Sequence, residues 1–115
     1  MSTGPRAIQH PLYLLLLEED ISGFNERRAR GETVSLRGAQ LRSLDLRGLI
    51  ADGLDLGDSC LRNCDLRGID FRGAEIEGAT LTEARISGCY FPADIGAEEI
   101  RLSVEKGTRL RRLPR

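Results

Sequence analysis

Through the middle of the chain, apolar residues recur every five positions. Leu36, Leu41, Leu46, Ala51, Leu56, Leu61, Leu66, Phe71, Ile76, Leu81, Ile86 and Phe91 hold this spacing, and all twelve are apolar. Two places before each stands an apolar residue or a thiol, with Ser59 the single exception. The 36 other positions of residues 34–93 include only four apolar ones, Ile50, Cys60, Tyr90 and Ala93. A helix turns about 100° per residue, so steps of five would scatter these side chains around its cylinder. A strand alternates faces with period two, and an odd period would send every second repeat outward. The pattern instead predicts a very short extended piece followed by a corner, with the central residue and the one two places earlier both pointing in.

The last position of the repeat is Gly at 38, 48, 53, 68, 73, 78 and 88, seven of twelve, as a turn requires where the backbone leaves its common conformations. Four corners close a coil of twenty residues, so residues 34–93 make three coils. Pairing between coils at about 4.8 Å gives a stack roughly 14 Å tall. Leu49 beside Ala51 reads as volume compensation.

Segments such as Cys64-Asp65-Leu66-Arg67-Gly68 and Ile69-Asp70-Phe71-Arg72-Gly73 resemble the pentapeptide-repeat proteins. Their pattern is a small residue, Asp or Asn, Leu or Phe, then two variable positions. Leu44, Leu49, Leu54 and Ile69 depart from it by placing large side chains at the small position. The resemblance implies an all-β solenoid, a right-handed four-sided β-helix of about three coils. It implies little about activity. Some members look like duplex DNA and bind DNA gyrase, which supplies an alternative function. A stack of about 14 Å spans only about four base pairs, and surface arginines spoil the mimicry.

An open stack needs caps. Pro11 with Leu12 to Leu17 predicts a short helix, Asp20 caps a second one running to about Arg30, and residues 97–106 predict a third that Gly107 ends. The expected organisation is an N-terminal helical cap at 1–33, the repeat at 34–93, and a C-terminal helical cap with a basic tail at 94–115. These ends read first as lids and second as interaction elements, including a homo-oligomer through a cap.

With 115 residues the chain has room for one domain, and 17 Lys+Arg against 18 Asp+Glu give a net charge of −1. That balance, with only 4% aromatic residues, disfavours nucleic acid as a partner. No apolar run approaches the roughly 20 residues of a membrane helix, no signal peptide is evident, and three cysteines do not make a disulfide framework. The expectation is a reduced, cytoplasmic protein with no membrane partner.

Candidate chemistry is sparse. His10 is the sole histidine and reads as a surface residue. Asp45, Asp55, Asp65 and Asp70 precede central residues and read as partners of corner backbone or of Arg. Cys64 and Cys89 point in, and Cys60 points out as an incidental thiol. No catalytic, cofactor-binding or metal-binding residues are expected, and the chain reads as a non-enzyme: a protein-interaction or scaffold module with a protein partner. Its candidate surface is the row Ile50, Asp70 and Tyr90, which share one repeat position at spacings of twenty, together with Arg42 below Arg62 and Arg47 below Arg67. For Tyr90, packing beneath the helix near Ile100 is an equal reading.

The inward assignment predicts that Leu61→Asp abolishes folding by burying an unpaired charge. The neighbouring Arg62→Ser should change stability by about 0.5 kcal/mol or less. Equal damage from the two in urea unfolding would contradict the assignment.

Overall fold

The computed structural model describes residues 10–114; the first nine residues of the expected 1–33 cap lie outside them. Three helices form, α1 (Pro11–Leu17), α2 (Ile21–Ala29) and α3 (Ala97–Lys106). His10 Nδ1 accepts from the Leu12 N–H at 3.0 Å and caps α1, and Asp20 Oδ1 accepts from Gly23 N–H at 3.0 Å in α2. Glu98 and Glu99 occupy the first turn of α3 and Lys106 its last, signs that complement the helix dipole.

Between α2 and α3 the chain winds in stacked twenty-residue coils. Parallel bridges join Ser35 to Asp55 and Asp55 to Glu75, Gln40 to Cys60 and Cys60 to Thr80, and Asp45 to Asp65 and Asp65 to Arg85. From Leu36 to Leu81 every central residue is buried, with Ile86 and Phe91 half-buried. Phe71 stacks on Phe91 with ring centroids 5.6 Å apart. Buried Ser59 turns its hydroxyl back to the Leu56 carbonyl at 2.6 Å, so the one polar inward position is satisfied.

Most corners are turns closed by a bond such as Ile69 N–H to Leu66 O, 3.1 Å. The third residue sits at positive φ at Gly38, Gly48, Gly53, Gly68, Gly78 and Gly88, and equally at Ser43, Asp58, Asn63 and Glu83. A left-handed third residue defines a type II turn. Holding a non-glycine residue there costs roughly 1–2 kcal/mol, which the surrounding coils must offset.

The expected all-β solenoid and right-handed four-sided β-helix require correction. Among the described residues there is no strand and no sheet, only isolated bridges and three short helices. The cause lies in the repeat. Two of its five residues form the turn, and a single residue is left to pair with the coil above or below, too little extended backbone for a ladder.

The helical ends do more than cover apolar surface. Within the stack, N–H groups donate to the next coil, as Leu61 to Thr80 O at 2.9 Å and Asn63 to Thr82 O at 2.8 Å. At the upper end, Leu81 N–H finds Ser103 Oγ at 2.9 Å and Glu83 N–H finds Val104 O at 2.9 Å. At the lower end, the Asp45 N–H donates to Glu19 Oε2, Ile50 N–H to Asn25 Oδ1, and Tyr13 Oη to Gln40 O. Arg28 donates to the carbonyls of Ile50 and Asp52. The caps therefore place oxygen and nitrogen atoms where a further coil would have them.

Ser103 is fully buried, so Ser103→Ala leaves Leu81 N–H without its acceptor. A loss of about 1–3 kcal/mol is expected, read as a lower urea midpoint at unchanged slope. An unchanged midpoint would mean that α3 does not close the stack through this bond.

Candidate interaction surface

The outward positions follow a local grammar. An Asp just before the central residue accepts from the backbone two residues on, as Asp70 Oδ1 from Arg72 N–H at 2.9 Å and Asp55 Oδ1 from Gly57 N–H at 2.9 Å. Where that second residue is Arg, its guanidinium folds back on the same carboxylate in a two-pronged contact: Arg47 on Asp45, Arg67 on Asp65, and Arg72 on Asp70. Arg37 instead crosses to Asp55 and Asp58 of the next coil. Residues 52–88 match the family model for pentapeptide repeats, in eight copies. This segment is a pentapeptide-repeat array. Comparisons with curated proteins and with solved structures found no match.

The row Ile50, Asp70 and Tyr90 does not form evenly on the array. Asp70 pairs with Tyr90, but no bridge joins Ile50 to Asp70. Gly53 N–H reaches Gly73 O at 2.8 Å, one residue out of step with the other corners, and Gly73 alone among the corner glycines of the array lacks positive φ. Leu49 and Ile69 are both buried beside this irregularity, at the position that usually holds a small side chain. An opening of about 380 Å³ lies here, lined by Gly48 to Asp52, Gly68, Asp70 and Gly73. Ile50 in this lining is 58% exposed, and Tyr90, on the next coil beside Asp70, is 57% exposed. Tyr90 is not buried beneath α3; the Arg72 guanidinium lies over its ring at 4.4 Å, a cation–π contact.

The two arginine pairs have different fates. Arg47 and Arg67 are spent on Asp45 and Asp65, and Arg47 also reaches Asp65 at 3.4 Å. Arg42 has no ion-pair partner among the described residues, and Arg62 has Glu83 at 3.9 Å. The basic tail is docked: Arg109 meets Asp58, Arg111 meets Glu99, Arg112 meets Glu75, and Leu110 is buried. Its Leu110 N–H bonds to Ala79 O at 2.9 Å, which extends the stack. Sequence reasoning missed this docking, because partners lie as far as 51 residues apart and only the excess of cations after Gly107 signalled it.

The two inward thiols are muted. Burial pushes the Cys64 thiol up to about 11, and its Sγ bonds to Leu41 O. Cys60 is half-buried. Among the described residues no group of three or more His, Cys, Asp and Glu side chains is placed to hold a metal, and no helix is long and apolar enough to cross a membrane.

The hydrogen bonds from Arg67 hold Asp65 at about 2, and the Arg47 and Arg72 contacts lower Asp45 and Asp70. In the unfolded chain an Asp titrates near 3.9, so the unfolded state takes up protons first on acidification. The contribution of Asp65 to stability is complete above pH ~4 and disappears as the pH falls toward 2. Urea midpoints should drop across that window, and Asp65→Asn should flatten the drop while lowering the midpoint at pH 7. A variant with the wild-type pH profile would remove Asp65 as its origin.

Proposed function

We propose that the chain is a non-enzymatic protein-interaction module whose recognition side carries Ile50, Asp70 and Tyr90. The exposure of Ile50, which lines the opening, and of Tyr90, one coil above Asp70 on the same side, carries this reading. Large apolar and aromatic groups set among charged ones suit the centre of an interface. Arg72 already orients the Tyr90 ring, so little side-chain freedom is lost on binding. The pentapeptide-repeat match at 52–88 supports protein interaction in general.

The non-enzymatic part rests on the state of the reactive groups. A carboxyl held near 2 is a poor general acid at neutral pH, a buried thiol raised to about 11 is a poor nucleophile, and His10 is engaged as a helix cap.

Affinity capture from nuclease-treated lysate of the source cells tests the reading. Wild type should retain a protein that Ile50→Ser and Tyr90→Ser each lose, with melting temperatures unchanged. Retention by both variants would remove this side as the recognition surface.

A further inference from the structure

The arginines that directly follow a central residue divide into two groups. Arg37, Arg47, Arg67 and Arg72 are each neutralised by Asp. Arg42 and Arg62 are not: Gln40 and Cys60 stand where the folding-back Asp would be, and neither reaches an Asp of the next coil as Arg37 does. The bridge between Gln40 and Cys60 sets these two arginines on one side, a coil step of about 4.8 Å apart. Above them the same repeat position holds Thr82, and a Cβ on Gly107 would lie 3.0 Å from Thr82 Oγ1. The end of α3 therefore closes this column, and Lys106, the residue before Gly107, is exposed. Among the described residues Lys106 has no ion-pair partner, and the Arg62–Glu83 separation of 3.9 Å is at the limit of an ion pair.

Stacked like charges repel, and an anion laid between them relieves that repulsion. Guanidinium groups favour planar, two-pronged contact with carboxylates. We propose that the Arg42–Arg62 column, extended by Lys106, binds an acidic, extended segment of a partner protein. This column lies on a different side of the array from Ile50 and Tyr90, so it stands or falls independently of that recognition surface.

The test is fluorescence anisotropy of a labelled hexaglutamate peptide with the full chain and with three double variants. Arg42→Gln with Arg62→Gln should weaken binding by about tenfold or more, as loss of charge-assisted contacts does. Arg47→Gln with Arg67→Gln removes the same net charge and should weaken it by less than about threefold. Gln40→Asp with Cys60→Asp keeps both arginines but supplies each with the missing partner, and should silence binding without lowering the melting temperature. Equal weakening by the two arginine double variants would reduce the effect to net charge and overturn the proposal. So would absence of binding to wild type. Tighter binding of a single-stranded oligonucleotide of equal charge, lost with Arg42 and Arg62, would move the site from protein to nucleic acid and overturn it too.

Discussion

The backbone hydrogen bond between residues about twenty apart is the interaction on which everything else in this molecule depends. A five-residue repeat has almost no local structure of its own beyond a turn. Its remaining N–H and C=O groups would be buried and unpaired unless another coil, or a substitute for one, lay directly above and below. The inward leucines bring the coils into contact, but the backbone sets their separation and register. Both caps obey the same demand, through Glu19, Asn25 and Arg28 at one end and Ser103 and Val104 at the other.

How far the molecule was legible in its sequence follows from which interactions are local. Period five, with Leu36 to Phe91 in register, marks the inward positions because burial acts on each residue separately. Asp20, Pro11 and Gly107 mark helix ends because capping is decided within a few residues. The absence of strands was not legible, since it depends on how much of each repeat the turn consumes. The positive φ of Ser43, Asp58, Asn63 and Glu83 was also hidden; glycine at the other corners was the signal, and the period extends it to them. Nothing local announces that Asn25 will reach Gly48 and Ile50, or that Arg112 will reach Glu75.

Of the candidate surface, the outward direction of Ile50, Tyr90 and the arginines was readable, while their pairing was not. Arg47 and Arg62 occupy equivalent repeat positions, yet one is locked to its own Asp and the other faces a neighbour 3.9 Å away. A single residue two places earlier separates these outcomes. The irregular pairing beside Ile50, where Gly53 N–H reaches Gly73 O rather than the residue before it, has no signal in any single repeat. Near-neutral net charge thus conceals an uneven surface, where Arg47, Arg67 and Arg72 are matched by carboxylates while Arg42 and Arg85 have no ion-pair partner among the described residues.

The upper cap has a consequence for how such a chain can lengthen. Ser103 and Val104 meet the array at Leu81 and Glu83, on one particular side of the last coil, and the tail meets it at Gly78 and Ala79 on the side before. Insertion of one repeat would rotate that docking edge by a quarter turn relative to the lower cap. Insertion of four would raise it by one storey without changing its azimuth. Any face that depends on both caps at once therefore tolerates change in this protein only in whole storeys, and the molecule's surface geometry is quantised even though its sequence is built from smaller units.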